Sequence, residues 1–207
     1  MTNYFYKNDI PETLTFKDSI AIDTETMGLN IVRDRLCLIQ ISNGDGNAHI
    51  IQFEKNQYNA PNLKKLLNDS AIQKIFHFAR FDMATIKHYL GVEIENIYCT
   101  KIASKLTRTY TDSHGLKSIC EELLGIEISK KQQSSDWGNF DISEKQIEYA
   151  ASDVLHLHAL RDKLNKMLIR ENRMNIFQAC LEFLPTRINL DLEGFANLDI
   201  FVSTIFI

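Results

Sequence analysis

The stretch Ser19-Ile-Ala-Ile-Asp-Thr-Glu-Thr26 places two acids directly after a wholly apolar run. Isoleucine and alanine in such a run are typical of a buried β-strand. Side chains two residues apart on a strand point to the same face, so Asp23 and Glu25 share one. Ligands collect at the carboxyl ends of strands in α/β folds, which makes this pair a candidate site. An Asp-x-Glu pair alone is a weak signal, because ordinary solvated acids give the same pattern.

Two further runs rich in Ile and Leu follow this stretch along the chain. Arg35 to Ser42 and Ala48 to Phe53 flank Asn43-Gly-Asp-Gly-Asn47, which is a strong turn signal. Together with Ser19 to Asp23, they predict three antiparallel strands.

Helical and strand patterns alternate in the middle of the chain, and the remainder is mainly helical. The predicted elements are a helix after Pro61, a strand from Lys74 to Phe78, a helix from about Asp82 to Leu90 ended by Gly91, a strand around Ile97 to Cys99, amphipathic stretches at Gly115 to Leu124 and Ser143 to Arg170, and a helix from Asn175 that continues until Pro185. This order predicts an α/β fold with a mixed five-stranded sheet, three antiparallel strands followed by αβαβ, flanked by helices.

Two more segments carry acids that would converge with the first pair. Asp82 follows His-Phe-Ala-Arg-Phe, and Tyr149 and Asp153 lie four residues apart on one face of a helical stretch. Converging carboxylates repel each other and are costly to desolvate unless cations neutralise them. Such a set predicts Mg²⁺ or Mn²⁺, commonly as a pair of ions that promotes attack of water on a phosphodiester. Individually, Asp82 could be a helix cap, and Tyr149 and Asp153 a core tyrosine and a surface acid.

The three acidic segments, in this order, resemble the DEDD exonucleases, in the branch whose third motif carries a tyrosine, which includes ribonuclease D. The chain is also similar, over nearly its whole length, to the short ribonuclease D relatives called nanoRNase C. The segments that carry this likeness are Asp34-Arg-Leu-Cys-Leu-Ile-Gln-Ile-Ser42, Lys74-Ile-Phe-His-Phe-Ala-Arg-Phe-Asp82, Cys99 to Asp112, Gln132 to Trp137, and Leu184 to Leu192. The resemblance implies a ribonuclease H-like exonuclease fold.

The resemblance also implies a role for each residue of the acidic site. Asp23 would bridge two metal ions, while Glu25 and Asp153 would complete the first. Asp82 would hold the second ion, partly through water. Tyr149 would hydrogen-bond the attacking water, and 5′ nucleotides would be released from a 3′ end.

Residues outside the acidic site are candidates for binding the substrate. By resemblance, Leu29 would wedge between the last two bases, with an ordinary core leucine as the alternative. His77 is either a contact to the sugar or scissile region or a satisfied buried histidine. Lys101 and Arg108 lie in a locally basic stretch, which indicates either a cap for a 5′ phosphate or a solvated helix face.

The polar run Gln132-Gln-Ser-Ser-Asp-Trp137 offers further contacts to nucleic acid. Gln133 and Ser135 would supply an amide and a hydroxyl, and Trp137 would stack on a base. Trp137 is equally plausible as a core anchor.

Composition limits the architecture and the class of substrate. A chain of 207 residues with 44% apolar content predicts a single domain, residues 1–207, without an accessory nucleic-acid-binding domain. The net charge of −4 is unusual for a protein that holds long polyanions and favours a short substrate. Four scattered cysteines indicate reduced thiols in the cytoplasm, and neither a signal peptide nor a membrane-spanning run is predicted.

These observations favour a metal-dependent 3′-5′ exoribonuclease that uses two divalent cations, Mg²⁺ or Mn²⁺, on short single-stranded RNA, with 5′-phosphorylated dinucleotides as the expected substrates. The alternatives are ribonuclease D-like trimming of structured RNA such as tRNA, an exonuclease that also accepts DNA, and an inactive nucleic-acid-binding scaffold. The apolar segment from Phe195 to Ile207 argues for assembly. Because nanoRNase C relatives form rings of eight subunits, the expected state is a homo-octamer.

Overall fold

Six strands form one mixed sheet in the computed structural model, which describes residues 2–129, 131–132 and 135–202. The strands are β1 (Asn3–Lys7), β2 (Ser19–Thr26), β3 (Leu36–Ser42), β4 (Ala48–Gln52), β5 (Gln73–Phe76) and β6 (Ile97–Cys99). Their order across the sheet is β1-β4-β3-β2-β5-β6. Strand β3 is antiparallel to both of its neighbours, β2 and β4. Strand β1 pairs in parallel with β4, β5 pairs in parallel with β2, and β6 pairs in parallel with β5. The predicted α/β fold is confirmed.

The edge strand β1 was not predicted, so the sheet has six strands where the sequence indicated five. Asn3–Lys7 shows no apolar alternation, and its side chains are exposed or half-buried. The contacts that hold this strand come from residues distant in sequence. It pairs with β4, and the rings of Tyr4 and Tyr6 stack on His49, with centroid distances of 4.9 and 5.9 Å. A strand held by a partner more than 40 residues away leaves little local signal.

Seven α-helices flank the sheet and form the C-terminal part of the described chain. They are α1 (Pro61–Asn68), α2 (Ala79–Leu90), α3 (Thr100–Thr107), α4 (Leu116–Leu124), α5 (Glu144–Leu155), α6 (Leu157–Arg170) and α7 (Met174–Leu190), and a π-helical turn follows at Asp191–Phe195. Gly91 ends α2 in the left-handed conformation, as expected. None of the helices in the described ranges has the length and apolar character that crossing a bilayer requires.

Several helix boundaries differ from the prediction. Helix α2 begins at Ala79, three residues before the expected start near Asp82. The amphipathic stretch from Ser143 to Arg170 forms two helices, because the chain turns at His156 between α5 and α6. The helix expected to end at Pro185 continues through it to Leu190. Pro185 removes one backbone donor, but the buried side chains of Leu184 and Ile188 keep this part of α7 against the core.

The two faces of the sheet bring different elements to the acids of β2. Asp23, Gln40 and Ile50 are aligned across β2, β3 and β4 and therefore share a face. The Gln52 amide, on this same face, donates to the carbonyls of Asn139 and Phe140 in the loop before α5. Helix α5 packs across this face, and α2 contacts the sheet from the other side.

Candidate active site

Strand β2 carries the first two acids of the site. Asp23 lies opposite Gln40 of β3 and Glu25 opposite Leu38, and a β-bulge follows between Glu25 and Thr26. The strand extends to Thr26 rather than ending at Asp23, so both acids are held by paired backbone on the same face, as predicted.

Helix α5 brings the third acid to this face. A capping box formed by Ser143 and Gln146 begins the helix. Asp23, Glu25 and Asp153 each offer a carboxylate oxygen, and these oxygens lie within 4.8 Å of one another. All three residues are half-buried, so a cation has access to them from solvent.

Asp82 lies beside this cluster in the first turn of α2 and is buried. The Thr24 hydroxyl donates a hydrogen bond of 2.7 Å to its Oδ1. Thr24 stands between the two acids of β2, so its side chain points to the opposite face, where α2 begins. No motif in the sequence marks Thr24 as functional, although strand alternation predicts the direction of its side chain.

The carboxyls perturb one another strongly. Withdrawal from solvent, together with the neighbouring acids, raises the pKa values of Asp23 and Glu25 well above their ordinary range. Withdrawal from solvent raises the pKa of Asp82 to about 7, although the Thr24 hydrogen bond opposes this, and it raises that of Asp153 to about 7. A group of acids without thiolates or imidazoles suits a hard divalent cation, which would remove this repulsion.

This arrangement predicts how stability depends on pH in the metal-free protein. Because the folded-state pKa of Asp153 is raised, the folded state binds more protons than the unfolded state between about pH 4 and pH 7. The contribution of Asp153 to the free energy of unfolding therefore falls as pH rises through this window. We expect Asp153→Asn to be more stable relative to wild type at pH 8 than at pH 5, measured by urea unfolding in EDTA. A difference that is independent of pH would contradict the shift, and saturating Mg²⁺ should reduce it.

Tyr149 lies on α5 one turn before Asp153. Burial raises its pKa, and so do the surrounding carboxylates, so its hydroxyl stays protonated at neutral pH. Trp137 is buried and packs against Tyr149, with ring centroids 6.0 Å apart. The predicted stacking of Trp137 on a base is therefore wrong, and the alternative of a core anchor is correct. Its ring fixes the position of Tyr149 instead.

Leu29 lies in the loop after β2, and 86% of its surface is exposed. The alternative of a core leucine is therefore wrong. The loop folds tightly around Asp34: its Oδ2 accepts a hydrogen bond of 3.0 Å from the Asn30 amide, and a Cβ added at Gly28 would lie 2.3 Å from the same oxygen. Only glycine permits that approach.

A cleft of about 980 Å³ opens beside Leu29 and was not predicted. Its walls come from the loop after β2, from the start of α2 and from the segment after α7. Asp191 fixes the segment after α7, because its buried carboxylate forms ion pairs with Arg80 and Arg187. The same two guanidinium groups also donate to the carbonyls of Ala196 and Leu198. The cleft therefore adjoins the strand and the helix that carry three of the four acids.

His77 follows β5 and is held by Thr100. Its Nδ1 lies 2.9 Å from the Thr100 hydroxyl, which in turn donates to the Phe76 carbonyl. Burial and the nearby Lys101 lower the pKa of His77 to about 3, so the ring is neutral. These contacts agree with the alternative that His77 is a histidine whose hydrogen bonds are made within the protein. A contact of His77 with substrate stays a prediction.

Arg108 is fully buried, which contradicts its expected contact to a 5′ phosphate. Its guanidinium forms an ion pair with Glu122 and donates to the Ser104 hydroxyl at 3.0 Å and the Ser113 carbonyl at 2.7 Å. The guanidinium donors of Arg108 are therefore used within the protein. They connect the loop between α3 and α4 to both of these helices. The sequence could not reveal that Glu122, fourteen residues away, neutralises Arg108.

Lys101 remains available at the start of α3. Its Nζ lies 4.1 Å from the centroid of the Phe78 ring, and the residue as a whole is half-buried. Phe78 precedes α2 with a positive φ of 78°, which turns a partly exposed ring toward the cleft that it lines. Lys101 therefore lies close to the cleft, as a phosphate contact would require.

The polar run before Trp137 is only partly described. Gln133 lies outside the described residues. The Ser135 hydroxyl donates to Gln132 Oε1 at 2.6 Å, so it is engaged within its own turn. A role of Ser135 in binding substrate stays a prediction.

The fold and the acid cluster together define a nuclease with a ribonuclease H-like architecture. Residues 2–169 match the 3′-5′ exonuclease family, and the chain belongs to this family. The predicted relationship to nanoRNase C and ribonuclease D is confirmed.

Known proteins of two kinds are similar to this chain. A structure of NrnC from Brucella melitensis with bound Mg²⁺ is 55% identical, with a TM-score of 0.94, and covers 99% of this chain and 100% of its own. Another, of the same protein bound to pGG, is 56% identical, with a TM-score of 0.95 and the same coverage. Ribonuclease D from Gluconacetobacter diazotrophicus is 31% identical over 166 residues, which are 80% of this chain and 42% of the relative. The chain thus spans about two fifths of that curated relative.

Proposed function

We propose that this protein is a metal-dependent 3′-5′ exoribonuclease that hydrolyses short oligoribonucleotides, especially 5′-phosphorylated dinucleotides, to 5′-mononucleotides. The observation that carries the proposal is the convergence of Asp23, Glu25 and Asp153 within 4.8 Å, with Asp82 beside them. All four acids are present, which argues against an inactive scaffold.

The acids would divide between two cations. Asp23, Glu25 and Asp153 would hold one, and Asp82 would contribute to a second together with Asp23. When bound, such ions supply an activated water and positive charge at the departing 3′ oxygen. We propose Mg²⁺ or Mn²⁺ because the ligands are carboxylates, and the Brucella melitensis relative binds Mg²⁺.

Tyr149 would act on the water itself. Its hydroxyl stays protonated because burial and the nearby carboxylates raise its pKa. A protonated hydroxyl beside Asp153 can orient a water molecule by hydrogen bonding. Trp137 holds the tyrosine ring from behind, so the hydroxyl is positioned before substrate arrives.

The cleft supports a short substrate with apolar contacts to its bases. Leu29 and Phe78 expose apolar surface on two of its walls, and Lys101 lies against Phe78. Leu29 would separate two bases, and Lys101 would approach a phosphate. The Brucella melitensis relative binds pGG, which is consistent with a dinucleotide substrate.

A length series of RNAs tests the substrate proposal. For 5′-phosphorylated oligoribonucleotides of two to about ten residues, we expect kcat/KM to be highest for the dinucleotide and to fall when its 5′ phosphate is removed. Leu29→Ala should reduce kcat/KM for the dinucleotide without lowering stability, because Leu29 is already exposed. Val32→Ala, which removes another exposed apolar side chain from the same cleft, is the matched control and should have a smaller effect.

Comparable kcat/KM values for two-mers and ten-mers would reject the short-substrate proposal and favour ribonuclease D-like trimming. Equal hydrolysis of the matching deoxyribonucleotides would extend the substrate class to DNA.

We further propose a homo-octamer in the cytoplasm. Free cysteines are consistent with a reducing compartment. Large apolar side chains are exposed along the last two helices and the segment that follows, and a surface of this kind is typical of subunit contacts. These residues are Ile169, Ile176, Phe183, Phe195, Leu198, Ile200, Phe201 and Val202.

Light scattering at micromolar concentration should give a mass near eight times 23.9 kDa. Phe201→Asp, which places a charge on the most exposed of these apolar side chains, should reduce that mass. A stable wild-type monomer would reject assembly, and a different multiple would correct its number.

A further inference from the structure

Gln40 of β3 is fully buried, yet neither its Oε1 nor its Nε2 has a hydrogen-bond partner among the described residues. Leu36 and Leu38 extend on the same face of the strand, and apolar side chains suit that enclosed position. Ser42, the other polar residue on this face, is satisfied, because its hydroxyl donates to the Asn47 carbonyl at 2.6 Å. A buried amide without partners lowers stability, so its presence calls for a physical reason.

The position of Gln40 suggests that reason. It lies directly opposite Asp23 in the antiparallel pairing of β2 with β3. Residues paired in this way extend on the same face with Cβ atoms about 4.5 to 5.5 Å apart. Helix α5 packs against β2, β3 and β4, and its small residues Ala150 and Ala151 are buried. The amide is therefore enclosed between the sheet and α5, next to the acid proposed to bridge both cations.

Asp23 needs a donor at this place. Its carboxylate lies among other acids, because oxygens of Asp23, Glu25 and Asp153 lie within 4.8 Å of one another. When carboxylate oxygens bind cations, hydrogen bonds from neighbouring groups fix the direction of the ligand. Gln40 Nε2 is an uncommitted donor on the adjacent strand, and rotation about its side-chain bonds would aim it at Asp23.

We infer that Gln40 is a positioning residue for Asp23, whose carboxylate accepts a hydrogen bond from Gln40 Nε2 when the site holds divalent cations. The inference rests on the proposed metal-dependent function. It explains why an amide, and not a third leucine, occupies this position of β3. The amide costs stability in the metal-free protein and improves metal binding in the loaded protein.

The test is Gln40→Met, which keeps the length of the side chain and removes its polar atoms. We expect thermal unfolding in EDTA to occur at a higher temperature than in wild type, because an unpartnered buried amide is removed. We expect Mn²⁺ binding, measured by calorimetry on the full chain, to weaken about 10-fold. A residue that only fills space would raise stability without changing metal affinity.

The matched control is Thr85→Val on α2, at the other side of the sheet. Thr85 is also fully buried, and its hydroxyl also has no partner among the described residues. Its removal should raise stability and leave Mn²⁺ affinity unchanged. If Gln40→Met does not fold, Gln40→Asn serves instead. It keeps an amide but withdraws it by one methylene group, so it should also weaken Mn²⁺ binding.

The outcomes separate this inference from the proposed function. Mn²⁺ affinity within twofold of wild type in the folded Gln40 variant would overturn the role of Gln40 alone, provided that wild type binds Mn²⁺ and hydrolyses RNA. A wild-type protein that binds no divalent cation would overturn both.

Discussion

Replacing Asp23 with asparagine is expected to abolish nearly all hydrolysis while leaving the protein folded. Asp23 is the central acid of the cluster, since its pKa is raised by withdrawal from solvent and then by Asp82, Asp153 and Glu25. A neutral amide would bind a hard cation far less well. Bound cations supply several kcal/mol of charge stabilisation, so their loss should lower kcat by roughly 10³-fold or more.

The stability of Asp23→Asn should move in the opposite direction to its activity. Removing one of several converging charges relieves repulsion, so the metal-free variant should unfold at a higher urea concentration than metal-free wild type. Asp141→Asn, which changes an exposed acid before α5, is the matched control and should affect neither property. Wild type in EDTA should be as inactive as Asp23→Asn, and added Mg²⁺ or Mn²⁺ should restore only wild type. Normal hydrolysis by Asp23→Asn, or by wild type in EDTA, would contradict the proposed metal-dependent mechanism.

The central sheet was predictable because its signals are local. The runs that form β3 and β4 flank a short Gly-rich turn, so their pairing can be inferred without knowing the rest of the fold. The direction of Asp23 and Glu25 follows from strand alternation, and that of Tyr149 and Asp153 from helical spacing. The match of the chain to the 3′-5′ exonuclease family agrees with the order of these segments.

The features that were missed depend on partners distant in sequence. Strand β1 is held by β4, and Arg108 is buried because Glu122 of α4 neutralises it. A basic residue in a basic stretch normally indicates a solvated charge or an anion site, and only tertiary structure shows that its donors are already used. The cleft beside Leu29 also needs the segment after α7, which folds back on Arg80 of α2.

Trp137 shows how a wrong assignment of one residue clarifies the role of another. The sequence allowed either a stacking surface or a core anchor, and burial decides for the anchor. The ring packs against Tyr149, so it supports one residue of the candidate site and offers no exposed face for stacking. Preorganisation of this kind requires a buried aromatic next to a functional hydroxyl, and no spacing rule in the sequence reveals that contact.

Tyr149→Phe should retain the fold and lose on the order of 10²-fold in kcat, the usual size of a lost proton-handling or positioning contact. The phenyl ring keeps the contact with Trp137, so only the hydroxyl is removed. Because Trp137 is the single tryptophan of the chain, its fluorescence reports directly on this packing. We expect an unchanged emission maximum together with the slower rate.

The control for this prediction is Tyr98→Phe. Tyr98 is buried, whereas Tyr149 is half-buried. The Tyr98 hydroxyl donates to the Arg161 carbonyl at 3.4 Å, and its ring packs against Phe177, which is not one of the candidate site residues. Its activity should equal that of wild type. Should Tyr149→Phe show the wild-type rate, Tyr149 would have no part in catalysis. If instead the rate and the Trp137 emission changed together, the loss would come from disturbed packing and not from the missing hydroxyl.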